Sequence, residues 1–89
     1  MKIGLVGCGY WGKNIARNLH QLGLLGAVCD PSQKILDSVP KLYPGALATK
    51  SLADLLKAKD IDAIAIASPA AEHAAIAKAA LMAGKDVFV

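Results

Sequence analysis

The sequence predicts an α/β domain, a doubly wound parallel sheet of about five strands with helices on both faces. Short apolar runs alternate with stretches of helical period along the whole chain. The runs are apolar throughout, as strands covered on both faces require. The connections are short, and strands joined through helices lie parallel with right-handed crossovers.

The first run is Lys2–Val6, stopped by Gly7. Trp11, Ile15, Leu19 and Leu22 then recur at helical spacing, with Ala16 widening the stripe and Gly23 placed to end the helix. The second run, Leu24–Cys29, ends at Asp30-Pro31, because proline cannot continue a central strand. A helix is expected from Pro31 or Ser32, with Ile35, Leu36 and Val39 inward; Pro40 obscures its far end. Tyr43-Pro44-Gly45 is a turn, and Ala46–Thr49 a short third strand. Ser51 suits the N-cap of a helix through about Lys57, with Leu52, Leu55 and Leu56 inward. Ile61–Ala67 is the clearest buried strand, ended by Ser68-Pro69. An alanine-rich helix follows from about Ala71 to Ala83, with Glu72 favoured in its first turn and Gly84 closing it. Asp86–Val89 begins a fifth strand.

Eighty-nine residues make one domain at most. The hydrophobic fraction of 55% and mean hydropathy of +0.44 disfavour disorder. No apolar run approaches the roughly 18–20 residues of a membrane span, and no cleavage-site pattern marks a signal peptide. Cys8 and Cys29 do not make a disulfide framework, so reduced thiols and a cytoplasmic setting are expected. The net charge is +3, but the basic residues, all lysines except Arg17, are scattered. A nucleic-acid footprint would cluster them, so no nucleic-acid partner is expected. Neither cysteine has the spacing of a metal site or a neighbouring base, and no metal is expected. The chain stops on an apolar strand. Uncovered edges invite pairing, so a fragment or an unusually trimmed module is expected, with self-association through its exposed sheet edge.

Gly7-Cys8-Gly9-Tyr10-Trp11-Gly12 is a G-x-G-x-x-G between a strand and a helix, inside a βαβ unit. Gly7 permits the tight turn, Gly9 leaves room for a pyrophosphate, and Gly12 lets the helix pack close to the strands. The helix start then offers N–H groups and a positive dipole end to phosphates. Asp30 lies 18 residues after Gly12, at the end of the second run. There a carboxylate accepts hydrogen bonds from the adenosine ribose hydroxyls and repels a 2′-phosphate. The pattern is that of a Rossmann-type dinucleotide site, with NAD expected over NADP. Asp30 can alternatively cap the following helix. Lys13 fits either a pyrophosphate contact or a solvated side chain.

Ser68 and Pro69 fall at the C-terminal end of the fourth strand, where ligands of open α/β sheets sit. Ser68 either reaches the cofactor or caps the next helix. His73, in that helix's first turn, either faces the nicotinamide end or holds backbone. The expected cofactor-binding set is Gly7, Gly9, Tyr10, Trp11, Gly12, Asp30, Ser68, Pro69 and His73. No catalytic residue is assigned.

Ile3 to Asn14, Ala27-Val28-Cys29-Asp30, Ile61 to Pro69 with His73, and Ala83 to Val89 together resemble the Gfo/Idh/MocA oxidoreductase family. The resemblance covers essentially the whole chain. Its Gly-Tyr-Trp-Gly-Lys-Asn form is most similar to members that oxidise nucleotide sugars, such as UDP-N-acetylglucosamine-derived uronate 3-dehydrogenases. It implies a two-domain enzyme: an N-terminal domain holding NAD(P), and a C-terminal domain supplying the sugar or nucleotide-sugar contacts. Residues 1–89 would be the cofactor domain, truncated before the Glu-Lys-Pro segment whose lysine is catalytic in the family. Ala70 stands where many relatives have asparagine. Hydride transfer at a hydroxyl-bearing carbon also moves a proton, which needs a positioned acid or base. Among these residues only His73 is a candidate, so the chain alone is expected to be inactive. A stand-alone NAD(H)-sensing or nucleotide- or CoA-binding module is the alternative. Asp30 argues against CoA.

Overall fold

The computed structural model describes residues 1–9 and 12–89. Strand and helix alternate along the chain: β1 (Ile3–Val6), α1 (Gly12–Gln21), β2 (Leu25–Cys29), α2 (Gln33–Leu42), β3 (Leu47–Thr49), α3 (Leu52–Lys57), β4 (Ala63–Ile66), α4 (Ala70–Met82) and β5 (Asp86–Phe88). The five strands form one parallel sheet in the order β3-β2-β1-β4-β5. The strand order reverses beside β1: the chain moves outward through β2 and β3, then returns to lay β4 on the other side. Val6 pairs with Cys29 and with Ile66, and Cys29 pairs with Thr49. These strand ends therefore share one edge, and Gly7, Asp30 and Ala67-Ser68 emerge there together.

Successive strand residues enter opposite faces, which is why the runs contain no polar alternation. On one face Val6, Cys29, Ile64 and Ile66 meet Leu55 of α3 and Ile76 and Ala80 of α4. On the other Leu5, Val28 and Leu25 meet Ala16 of α1 and Val39 of α2. Gly26 is skipped in the β1–β2 register, which puts Leu25 and Ala27 on opposite faces.

All nine expected elements form, with shifted ends. Leu22 does not join the buried stripe: α1 ends at Gln21, and Leu22 is 70% exposed in the turn beyond. Trp11, expected at the head of that stripe, lies outside the described residues. Pro40 does not stop α2, which runs two residues further, anchored by buried Val39 and Tyr43 on either side. The cap of α2 is Ser32, whose Oγ accepts from the Ile35 N–H at 3.3 Å. Ser51 caps α3 as expected, accepting from the Asp54 N–H. The fourth strand narrows to Ala63–Ile66, and Asp62 instead joins through its N–H to the Lys2 carbonyl. Gly23 and Gly84 both have the positive φ expected of residues just past a helix.

Candidate functional site

Backbone closure at the shared strand edge fixes the glycine loop. The Gly7 N–H donates to the Cys29 carbonyl, and the Ala67 N–H donates to the Val6 carbonyl, each at 2.8 Å. The chain must then turn sharply away from β4. Gly7 does so at φ +87°, and a Cβ there would stand 2.8 Å from the Ser68 nitrogen. Gly12 is buried at the start of α1, where a Cβ would overlap the Gly7 carbonyl oxygen. Gly9 differs from both. It is exposed, and a Cβ there would meet nothing within 4 Å. Its missing side chain therefore leaves space free in front of the loop, not room for a packing partner.

That space is a cleft of about 880 Å³ at the point where the strand order reverses. Gly7, Gly9, Asp30, Ser68 and Pro69 line it, as the sequence leads one to expect. Gly12 and His73, expected in the same set, are not among its lining residues. Tyr10 and Trp11, also expected to contact cofactor, lie outside the described residues. Among the lining groups not foreseen are Leu52 of α3, and Glu72 and Ile76 of α4. Leu52 was legible only as a core residue, and Glu72 only as a dipole-favoured charge.

Asp30 is 7% exposed and is the one buried charged side chain among the described residues. Its Oδ2 accepts from the Cys8 N–H and its Oδ1 from the Ser32 N–H, each at 2.8 Å. The alternative role of capping α2 passes to Ser32, and Asp30 closes the turn just before it. Ser68 does not cap α4, whose N-cap is Pro69 without a side-chain bond. Ser68 lines the cleft, and its Oγ is buried with no partner among the described residues. Buried hydroxyls are ordinarily satisfied, so an unpartnered one at a cleft wall fits a ligand acceptor. His73 Nε2 lies 2.6 Å from the Ser68 carbonyl oxygen and buttresses that turn from behind.

Cys29 lines the cleft and Cys8 is buried against α1 and α2. Burial, then the Asp30 charge, pushes both thiols up, so they are held neutral. Among the described residues no three His, Cys, Asp or Glu side chains group as a metal site. No described helix is long and apolar enough to cross a membrane.

The residues fit a dinucleotide on structural grounds: an open crest at Gly9, the start of α4 lining the cleft, a buried carboxylate and an orphaned hydroxyl. Comparison with known proteins agrees. Residues 1–89 match the Gfo/Idh/MocA family, described as an oxidoreductase family with an NAD-binding Rossmann fold. A glycosyl hydrolase family 109 protein of Shewanella amazonensis is 30% identical, over 100% of this chain and 22% of its own length. Scyllo-inositol dehydrogenase from Lactobacillus casei, solved with bound NAD(H) and scyllo-inositol, is 34% identical with a TM-score of 0.90. That match covers 98% of this chain and 26% of the enzyme. Myo-inositol 2-dehydrogenase from Lactobacillus plantarum is 27% identical with a TM-score of 0.88, over 98% of this chain and 26% of that one. The chain thus spans roughly a quarter of the length of these relatives. The chain belongs to the Gfo/Idh/MocA oxidoreductase family, and its 89 residues carry that family's NAD-binding Rossmann fold.

Proposed function

We propose that the chain holds NAD(H) in the cleft as the cofactor domain of a dehydrogenase acting on a secondary alcohol of a sugar, nucleotide sugar or cyclic polyol. One observation carries this reading: Gly9, Asp30 and the unpartnered Ser68 Oγ converge where the strand order reverses. When bound, the nicotinamide supplies or accepts the hydride. The chain's own residues bind and orient. The loop from Gly7 to Gly12 and the start of α1 receive the pyrophosphate. Asp30 accepts from an adenosine ribose hydroxyl and disfavours a 2′-phosphate. Ser68 bonds the dinucleotide from the opposite wall. Pro69, Leu52 and Ile76 offer apolar surface to the adenine. The Gly-Tyr-Trp-Gly lettering supports a nucleotide-sugar substrate, and the inositol dehydrogenases support a cyclic polyol.

Hydride transfer at a hydroxyl-bearing carbon also moves a proton; among the described residues the carboxylates at the cleft are Glu72 and Asp30, and Asp30 is tied to backbone N–H groups. His73 is held on a backbone carbonyl. These 89 residues are read as a binding unit without turnover, which an assay for sugar- or polyol-dependent reduction of NAD+ checks. Two buried free thiols fit a reducing, cytoplasmic setting. Phe88 at 52% exposure on the edge strand β5 and Val89 at 79% just beyond it fit self-association in the isolated chain, which sedimentation velocity reads directly.

Calorimetric titration with NAD+, NADP+ and CoA tests the central reading. Saturable NAD+ binding, weaker for NADP+ and absent for CoA, is expected. Tighter binding of NADP+ or CoA would overturn it.

A further inference from the structure

We infer that Asp30 is a positioning residue that holds the glycine loop in its phosphate-receiving shape, besides any contact it makes with ribose. Three segments meet at this one residue. Its backbone N–H donates to the Thr49 carbonyl at 3.1 Å, fixing it to the end of β3. Its Oδ2 grips the Cys8 N–H inside the glycine loop, and its Oδ1 grips the Ser32 N–H at the start of α2. The Cys8 side chain is in turn buried against α1 and α2. The loop residue between Gly7 and Gly9 is thus clamped at both its backbone and its side chain.

Bonds from N–H groups to a carboxylate are roughly twice as strong as neutral ones. An ionised carboxylate has about four acceptor sites. Two are engaged with backbone, which leaves capacity for a ribose hydroxyl on the face that lines the cleft. Ribose recognition and loop shape therefore share one side chain. A consequence separates this role from simple charge discrimination. If Asp30 only repelled a 2′-phosphate, removing its charge would strengthen NADP+ binding. If it shapes the cradle, the same change weakens both dinucleotides, because both place the same pyrophosphate on the loop.

The first arm of the test needs no ligand. Amide hydrogen exchange of Cys8 is compared between the unaltered chain and Asp30→Asn, with Val28 as a core control. Cys8 is expected to exchange about tenfold faster in the variant, equivalent to about 1.4 kcal/mol, with Val28 unchanged. Equal Cys8 rates in the two proteins would overturn the inference. So would a Cys8 amide in the unaltered chain that exchanges like an open loop, a result that needs no folded variant.

The second arm rests on the proposed NAD reading. In Asp30→Ser, matched for folded fraction, NAD+ and NADP+ are each expected to bind about tenfold more weakly or worse. NADP+ binding tighter than in the unaltered chain would overturn the inference. If the unaltered chain binds neither dinucleotide, the functional proposal fails, while the amide arm still decides the role of Asp30 in the loop.

Discussion

Replacing Gly12 with alanine drives a methyl group into the backbone of Gly7. The added Cβ overlaps the Gly7 carbonyl oxygen and stands 2.9 Å from its carbon. Neither atom can swing aside as a side chain would, because Gly7 is tied to Cys29 and abuts Ser68. Relief requires a shift of α1 or the loop, the kind of overpacking that costs about 1–3 kcal/mol. Backbone contact places this case at the upper end. Alanine's better helix propensity returns at most about 1 kcal/mol, leaving a net loss of about 2 kcal/mol. A domain of this length has roughly 4–13 kcal/mol of stability at ordinary values per residue. The expected fall in melting temperature is about 8–16 °C. Gly9→Ala is the control, since its Cβ meets nothing within 4 Å. Its stability should stay within about 0.5 kcal/mol, while NAD+ affinity falls because the methyl occupies the space left for the pyrophosphate. Thermal melts followed by circular dichroism, with NAD+ titrations of both variants, separate the two roles. A Gly12→Ala protein melting with the unaltered chain would refute the packing argument. A Gly9→Ala protein that loses stability yet binds normally would refute the assignment of the loop.

Three further outcomes are expected. Ser68→Ala removes a buried hydroxyl without a partner, so stability in urea should hold or rise by up to about 1 kcal/mol, while NAD+ affinity falls. Leu55→Ala, at a fully buried site between α3 and the sheet, should cost about 2–5 kcal/mol in urea unfolding, and a loss below about 1 kcal/mol would contradict the core assignment. Stability should also decline at alkaline pH. Burial, then the Asp30 charge, raises both thiols above the ordinary 9.0. Burial first, with Cys8 adding and Arg17 opposing, raises Tyr43 above 10.0. The folded chain thus keeps protons that the unfolded chain releases. Their contribution is full below the ordinary values and is lost as pH rises through the folded ones. Urea midpoints measured on either side of the thiol range should fall with pH, and less so in the Cys8→Ala/Cys29→Ala double variant. A midpoint that rises with pH would contradict this.

The fold was legible because short apolar runs alternate with stretches of helical period and glycine or proline punctuates almost every change. Leu22 was misplaced because helical spacing does not say where the last turn ends. Pro40 left the end of α2 open because its ring disfavours a helix interior; buried neighbours on both sides carry the helix past it. Gly7, Gly9, Asp30, Ser68 and Pro69 were legible because each directly ends a strand or opens the glycine motif. Leu52 and Ile76 were not, since a leucine facing a ligand and one facing a core have the same spacing. The grip of Asp30 on Cys8 was also hidden. It arises only when β1 and β2 pair in the register that brings Val6 opposite Cys29.

Amide chemical-shift mapping of the 15N-labelled chain during titration with NAD+ tests the central claim most directly. The account predicts saturable shifts at Gly7, Gly9, Asp30, Ser68 and Glu72, with little change at the opposite sheet edge around Lys2, Gly26 and Gly45. Shifts centred on that opposite edge, or none at all in a folded sample, would contradict it.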